Sequence, residues 1–255
     1  MKRFTYTILM LMLPLMVGAQ KITLGSAKTK DGGEYNGEMV AGKPNGKGRT
    51  SYKNGNSYEG EYVKGKRQGY GVYTFADGEK YEGEWFQDQQ HGQGTYYFLN
   101  NNRYEGLWFR DYQHGHGVMY YFNGDKYTGQ FLNGDKHGQG TFVWKNGDSY
   151  VGQWKSDKQS GRGKLSKKSG DTVEGIFLNG QPNGECIARF ADGSKFKGIF
   201  KDGKRNGPAI EEDKDGNRFE GTYADDVRDG KFVEKDRNGN VTAQGVYTRG
   251  HRQVK

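Results

Sequence analysis

The sequence predicts an all-β protein whose tandem 23-residue β-hairpin repeats form an elongated, twisted, single-layer antiparallel sheet, an open solenoid-like rod. A gapless 23-residue period, with a two-residue hairpin turn signal in most periods, supports this fold class. The mean hydropathy of −1.05 is typical of disordered chains. However, 14% of the residues are aromatic and 43 are glycine, many of them at fixed positions of the period. We therefore expect an ordered chain with a thin core.

Residues 1–19 have the pattern of a signal peptide. Lys2 and Arg3 provide a positive start, an apolar run covers residues 8–17, and small residues lead to Ala19, after which we expect cleavage. The apolar run is short for a membrane span, and an uncleaved anchor is the alternative. The pattern predicts an exported protein, periplasmic or secreted, of the kind found in Gram-negative bacteria. Residues 20–34 precede the first recognisable repeat and are predicted to be an N-terminal linker.

Residues 35–255 are predicted to be the repeat array. Nine periods begin at residues spaced 23 apart: Tyr35, Tyr58, Tyr81, Tyr104, Tyr127, Tyr150, Val173, Phe196 and Phe219. Each period has a glycine two residues after its start and another glycine eleven residues after its start. The first six periods carry a further glycine thirteen residues after the start. After Phe219 the spacing slips by one residue. Residues 243–255 are therefore predicted to be a half repeat that caps the array.

The third period shows why each repeat is expected to form a hairpin. Tyr81, Gly83 and Trp85 alternate with glutamates, so they lie on one face of a strand. A second strand begins at the paired glycines Gly92 and Gly94. Turns of the Asn-Gly or Asp-Gly type, which favour two-residue hairpins, occur at residues 54–55, 77–78, 123–124, 146–147, 192–193, 215–216 and 238–239.

The pattern Tyr-Glu-Gly-Glu-Trp, then Gly-x-Gly-x-Tyr, then Asn-Gly or Asp-Gly resembles the MORN repeat (membrane occupation and recognition nexus) over residues 35–250. The first six repeats match well, whereas later ones carry Val173 or phenylalanine at the start and Cys186, Ala209 or Phe232 in place of a glycine. The resemblance implies an elongated sheet that acts as a scaffold, often as a dimer or with other partners. The divergent end is expected to cap the array.

The sequence predicts that the protein is not an enzyme and needs no cofactor. The Gly-x-Gly pairs precede strands rather than helices, and the chain contains neither a Gly-Lys-Ser/Thr phosphate loop nor a Gly-x-Ser-x-Gly elbow. The repeats also leave no room for a separate kinase or methyltransferase domain. No small-molecule substrate is expected. Cys186 is the only cysteine, which excludes an intramolecular disulfide, and it is predicted to fill buried space.

Two weak metal patterns compete with structural explanations. His91, His114 and His137 share one repeat position, about 10 Å apart at two strands per repeat, which is too far for one zinc ion. We expect them to cap backbone or contact aromatic rings, with a metal held by His114 and His116 as the alternative. Residues 211–222 partly match a calcium loop but also form the required hairpin turn. No metal site is predicted.

Exposed aromatic side chains are the first candidate binding surface, because a single-layer sheet cannot bury both faces within itself. The predicted partner-binding candidates are Tyr97, Trp108, Tyr120, Tyr121 and Trp144. They would bind a protein partner or a second copy of the chain. The alternative is that the rings fold over one another and close the surface.

Clustered cations in the long turns are the second candidate surface, a basic edge suited to anionic lipid or glycan. The candidates are Lys64, Lys66, Arg67, Lys155, Lys158, Arg162, Lys201, Lys204 and Arg205. Acidic residues between them weaken the field, and a solvated rim without function is the alternative. The net charge of +8 is modest, and export disfavours nucleic acid as a partner. A non-catalytic scaffold in the cell envelope is the predicted function, with peripheral binding to anionic lipid or glycan as the second hypothesis.

Overall fold

The computed structural model describes residues 21–254, so the predicted leader lies outside the described residues. These residues form strands and turns and no helix. The strands are β1 (Thr23–Lys28), β2 (Glu34–Val40), β3 (Lys43–Ser51), β4 (Ser57–Val63), β5 (Lys66–Thr74), β6 (Lys80–Phe86), β7 (Gln89–Tyr97), β8 (Arg103–Phe109), β9 (Tyr112–Tyr120), β10 (Lys126–Leu132), β11 (Asp135–Val143), β12 (Ser149–Lys155), β13 (Lys158–Ser166), β14 (Thr172–Leu178), β15 (Gln181–Arg189), β16 (Lys195–Lys201), β17 (Lys204–Glu212), β18 (Arg218–Ala224), β19 (Val227–Arg228), β20 (Gly230–Lys235), β21 (Val241–Thr248) and β22 (His251–Val254).

All of these strands belong to one antiparallel sheet in which neighbours in sequence are neighbours in space. Each repeat contributes one hairpin, and the second strand of that hairpin pairs with the first strand of the next. The predicted fold class is therefore confirmed: a single open sheet of tandem hairpins.

The core is one layer of aromatic rings lying over a row of glycines. Six tyrosines that begin repeats have no exposed surface: Tyr35, Tyr58, Tyr81, Tyr104, Tyr127 and Tyr150. The ring of Tyr104 covers Gly106 on its own strand and Gly117 on the neighbouring strand. A Cβ atom on Gly117 would lie 2.4 Å from the Tyr104 hydroxyl oxygen. The glycines are therefore needed because the rings occupy the space of their side chains.

A β-bulge explains the first glycine of each Gly-x-Gly pair. The register between β6 and β7 shifts between Gly83 and Glu84, and Gly92 in the bulge has a φ of 57°. The Glu84 carboxylate accepts a hydrogen bond from the Gln93 backbone N–H at 3.1 Å. A Cβ on Gly92 would lie 2.3 Å from that carboxylate. Positive φ and crowding together favour glycine at this position.

Hydrogen bonds join successive repeats at both sheet margins. In the long turns, the Asp88 N–H donates to the Arg67 carbonyl at 3.1 Å, and equivalent bonds recur in later repeats. At the hairpin turns, the Asn102 side chain accepts a hydrogen bond from the Phe122 N–H of the next repeat at 2.8 Å. Each turn therefore fixes the position of the following one.

The N-terminal segment differs from the prediction. Residues 20–34, expected to be a linker, include β1, which pairs with β2 and places Gly25 opposite Gly37 in the glycine row. Asp31-Gly32 lies 23 residues before Asn54-Gly55 and forms the connecting turn. The segment is thus a half repeat that begins the sheet, and its Asp-Gly dipeptide was the signal in the sequence.

The C-terminal repeats keep the hairpins but change the core. Val173, Phe196 and Phe219 replace the leading tyrosines, and β21 and β22 form a hairpin where a half repeat was predicted. Cys186 is 2% exposed, which confirms its prediction as a buried residue, and burial raises the pKa of its thiol. A second aromatic cluster around Phe196, Phe219 and Phe232 forms the core here.

Candidate functional site

The face that carries the leading tyrosines, which we call the aromatic face, is closed by contacts between its own rings. The Trp108 ring packs edge-on against Tyr81 at 5.2 Å and against Tyr104 at 5.3 Å, and Tyr104 continues to Phe131 at 5.0 Å. The Trp108 indole N–H donates to the Gly94 carbonyl at 3.2 Å. These edge-to-face contacts stabilise one repeat against the next.

This packing corrects the prediction for one of the five aromatic binding candidates. Trp108 is only 6% exposed and cannot be a surface contact. Strand alternation also separates the other candidates, because adjacent residues point to opposite faces. Tyr121 and Trp144 pack, partly buried, against the rings of the aromatic face. Tyr97 and Tyr120 lie on the opposite face.

The basic edge is also divided. Seven of its predicted residues are exposed: Lys64, Lys66, Lys155, Lys158, Arg162, Lys201 and Lys204. Arg67 is not, because its position in the strand turns the side chain onto the aromatic face. Its guanidinium lies 4.5 Å from the Trp85 ring and pairs with Asp88 at 3.5 Å. Arg205 is half-buried in the same way, 4.5 Å from the Tyr223 ring and 3.2 Å from Asp226.

A groove lies on the face opposite the tyrosines, which we call the groove face. Its floor is the backbone of aligned glycines that pair across successive strands: Gly83, Gly94, Gly106, Gly117, Gly129 and Gly140. The groove has a volume of about 860 Å³ and runs across the strands from Tyr70 on β5 to Val151 on β12. Seven strand-to-strand steps of ~4.8 Å give it a length of roughly 34 Å.

Two rows of side chains form the walls of this groove, because the residues on either side of each glycine point to the groove face. The first wall is a register row of cross-strand partners: Glu82, Thr95, Glu105, Val118, Thr128, Thr141 and Val151. The second wall contains Tyr70, Gln93, His116 and Gln139. The walls therefore offer hydroxyl, amide, carboxylate, imidazole and aliphatic groups.

Two of the predicted surface rings, Tyr97 and Tyr120, lie beside the first wall of the groove. The Lys80 ammonium is 4.5 Å from the Tyr97 ring, and the Arg103 guanidinium is 4.5 Å from the Tyr120 ring. Lys80 also pairs with Glu82 at 2.6 Å, and this contact raises the pKa of Lys80. Arg103 pairs in the same way with Glu105 at 2.9 Å. Each cation is therefore held between a ring and a wall carboxylate.

Two of the three repeated histidines, His91 and His114, contact aromatic rings, as predicted. The His91 ring lies 5.5 Å from Phe86 and 5.4 Å from Phe109, and His114 lies 5.7 Å from Phe109. Within residues 21–254, no three His, Cys, Asp or Glu side chains gather in a way that could hold a metal ion. At the partly matched calcium loop, the Asp213 carboxylate instead accepts hydrogen bonds within its own turn, from Asp215 and Asn217.

The described part of the chain contains no helix that is long and apolar enough to cross a bilayer.

A long groove with polar walls and a backbone floor is suited to a linear ligand. The groove was not predicted from the sequence, although the two columns of glycines that form its floor are visible there. Predicting the groove also requires the register of strand pairing, because the register aligns glycines from different strands into one row.

The family model for the MORN repeat matches eight segments of the chain: residues 35–57, 58–80, 81–103, 104–126, 127–149, 150–172, 174–195 and 196–218. No curated protein sequence matches the chain at a significant level.

Among solved structures, the chain is similar to the TCP domain of SAS-4 from Drosophila melanogaster in complex with a proline-rich motif of Ana2. The identity is 15%, the match covers 62% of this chain and 84% of that chain, and the TM-score is 0.40. It is also similar to the TCP10 domain of Danio rerio CPAP in complex with a peptide of Danio rerio STIL. Here the identity is 16%, the coverage is 88% of this chain and 100% of that chain, and the TM-score is 0.28.

Proposed function

The chain belongs to the MORN repeat family, and from this premise we propose that it is a non-catalytic scaffold that binds an extended segment of a protein partner in the groove. Repeats of this family are typically modules for interaction with proteins or membranes, which supports a binding function. The geometry of the groove supports a linear protein ligand in particular.

The observation that carries the proposal is the groove itself. Its length of roughly 34 Å corresponds to about ten residues of extended chain at ~3.3 Å per residue. Its walls supply hydrogen-bonding groups on both sides, such as Thr128 and Gln139. The aromatic face, by contrast, uses its rings for contacts within the sheet, so it offers less free surface to a partner.

We place this scaffold in the cell envelope, on the basis of the signal-peptide pattern in residues 1–19. Export would put the groove in contact with periplasmic or extracellular proteins. A second copy of the chain is also a possible source of the bound segment, and self-association is therefore part of the proposal.

Peripheral binding to anionic lipid or glycan is the second candidate function. The seven exposed cations of the long turns favour it. Attraction of this kind is screened by salt, so binding to vesicles containing anionic lipid would fall steeply between low and physiological salt. Charge neutralisation at Lys64, Lys66, Lys155 and Lys158 would abolish it if the basic edge were responsible.

A photo-crosslinking amino acid at three positions distinguishes these surfaces in the native host. Thr141 places the probe in the groove, Trp144 places it on the aromatic face, and Lys66 places it on the basic edge. We expect a discrete protein adduct from Thr141 and none of that size from the other two positions.

Two other outcomes would overturn the proposal. Protein adducts from Trp144 with none from Thr141 would make the aromatic face the binding surface. Lipid adducts from Lys66 alone would favour the membrane function. An unchanged melting temperature for each labelled chain is the control that the probe leaves the sheet folded.

A further inference from the structure

Charge is distributed unevenly along the two walls of the groove and their continuation on neighbouring strands. Between β4 and β9 the wall positions carry five carboxylates and no cation: Glu59, Glu61, Glu82, Glu84 and Glu105. Between β10 and β12 the wall positions are uncharged: Thr128, Gln130, Gln139, Thr141, Val151 and Gln153. On β13, one step beyond the groove, Arg162 and Lys164 occupy the two walls.

Neighbouring cations define the limits of the acidic end. Lys80 and Arg103 lie one row outside the first wall, where they contact the rings of Tyr97 and Tyr120 and pair with Glu82 at 2.6 Å and Glu105 at 2.9 Å. A ligand cation at either glutamate would therefore share the carboxylate with that residue. On the far side, Lys47 and Arg49 on β3 lie opposite Glu61 and Glu59. At the basic end, Glu174 on β14 lies opposite Lys164. The acidic end is thus confined to β4–β9, and the wall rows change from acidic there to basic on β13, one step beyond the groove.

The spacing of the carboxylates on the first wall indicates a matching period in the ligand. Glu59, Glu82 and Glu105 occupy alternate strands of one register row, so they recur about every 9.6 Å at two strand spacings. A polyproline II chain repeats every three residues at 3.1 Å per residue, or roughly 9.3 Å. Cationic side chains at every third residue of such a chain would therefore each lie near one glutamate.

The distance between the two charged ends sets the rest of the pattern. From Glu105 on β8 to Arg162 and Lys164 on β13 there are five strand steps, or roughly 24 Å at ~4.8 Å each. About eight residues of polyproline II chain span this distance. The intervening wall positions are uncharged, so they suit a polar, uncharged stretch of ligand.

We propose that the groove recognises a protein segment by the order of its charges. The segment has Lys or Arg at three positions spaced three residues apart, then about seven uncharged residues, then Asp or Glu, a spacing that follows from the polyproline II rise. Its cationic part lies over β4–β8, and its carboxylate lies over β13. This inference rests on the proposed function, because it assumes that a protein segment occupies the groove.

Selection from a library of displayed random 15-residue peptides tests the charge order. The bait is the full chain, and the counter-selection uses a Thr128→Trp variant, in which the indole fills the centre of the groove. We expect groove-dependent peptides to carry Lys or Arg at every third position in one half and an acidic residue in the other. Peptides that bind the groove without this order would overturn the inference and leave the proposed function standing. If no peptide depended on the groove, the proposed function itself would be contradicted.

Charge-neutral variants supply the quantitative test with a selected peptide. The triple variant Glu59→Gln, Glu82→Gln and Glu105→Gln should weaken binding at least about tenfold, because three charge pairs are lost. The matched control is Glu185→Gln, Glu212→Gln and Glu220→Gln, which removes three groove-face carboxylates on β15, β17 and β18, away from both charged ends, and should change the affinity less than about twofold. Equal losses in both triples, with melting temperatures unchanged, would contradict recognition by the acidic end.

Discussion

The repeats over residues 35–172 and those over residues 173–254 build the same hairpins with different cores. In the first region a tyrosine hydroxyl and a glycine meet, as Tyr104 and Gly117 do. In the second region Phe196 lacks the hydroxyl, and Ala209 occupies the position of that glycine. The leading ring and the residue thirteen positions later are therefore packing partners. A tyrosine hydroxyl and a Cβ atom would occupy the same space. The first region therefore combines the hydroxyl with a glycine, and the Phe196 repeat of the second region combines a Cβ with a ring that lacks the hydroxyl.

The tyrosine hydroxyl has a second role in the first region. The bulge leaves the backbone between Gly106 and Trp108 out of register with the neighbouring strand. The Tyr104 hydroxyl donates to the Leu107 carbonyl in this stretch at 2.9 Å, which supplies a partner for this partly buried carbonyl. The same bond recurs from the other five leading tyrosines. The groove lies over this hydrogen-bonded part of the sheet.

Alkaline pH should produce the largest difference in stability between the two regions. Burial raises the pKa of Tyr150 to about 12, and it also raises the pKa values of the other leading tyrosines above 10. Well below pH 10 the phenols are protonated in both the folded and the unfolded chain. Above pH 10 the unfolded chain loses protons first, so the folded state loses stability as the pH rises towards the folded pKa values. We expect the tyrosine repeats to unfold first.

Tryptophan fluorescence can follow this step because all four tryptophans, Trp85, Trp108, Trp144 and Trp154, lie in the first region. Their signal should be lost during a titration above pH 10 while far-UV circular dichroism retains part of the sheet signal. Simultaneous loss of both signals would show that the two regions unfold as one unit.

A methyl group in the glycine row should destabilise the first region. Gly117→Ala places a Cβ against the Tyr104 ring, and overpacking of this kind costs roughly 1–3 kcal/mol. Urea unfolding followed by tryptophan fluorescence measures the change in the free energy of unfolding.

The packing in the second region suggests a second substitution that should partly restore the stability lost in Gly117→Ala. Tyr104→Phe combined with Gly117→Ala recreates the Phe196–Ala209 pair, and the double variant should lose less stability than the sum of the two single losses. Additive losses would contradict the competition between hydroxyl and Cβ.

Removal of the hydroxyl alone should have a smaller effect. Tyr104→Phe deletes the hydrogen bond to the Leu107 carbonyl, and we expect a loss of roughly 0.5–1.5 kcal/mol. The same urea measurement applies. No loss of stability would mean that water satisfies this carbonyl equally well.

The ion pairs shared by both regions should contribute least. Asp88 pairs with Arg67 in the first region, and Asp226 pairs with Arg205 in the second. Because both carboxylates are about half exposed, so that solvent screens the pairs, Asp88→Asn and Asp226→Asn should each cost about 0–1 kcal/mol. A thermal melt of each variant should show similar, small shifts. A large loss in one region alone would break the equivalence of the two pairs.

Much of the fold could be predicted because the 23-residue period fixes strands, turns and alternation at once. The half repeat at β1 was missed because only Gly25 and Asp31-Gly32 mark it, without a leading aromatic residue. Trp108 was misplaced because strand alternation gives its face but not the rings that cover it. The position of Arg67 above the Trp85 ring depends on a neighbouring repeat, which the local sequence does not reveal.

The groove is a property of register rather than of any single repeat. Thr128 and Thr141 become neighbours only when β10 and β11 pair across the glycine row. The charge order along the walls likewise becomes visible only once Glu82 and Glu105 are placed in the same row. Sequence reasoning could identify the residues, but their alignment needed the structure.

The affinity of the partner segment recovered by crosslinking from Thr141 is the most direct test of the binding groove. It would be measured by isothermal titration calorimetry for the native chain and for the Thr128→Trp variant. We predict binding at least about tenfold weaker for the variant, because the indole takes the place of ligand in the centre of the groove, with an unchanged melting temperature. Equal affinity for the two folded proteins would show that the segment binds elsewhere and would contradict the account.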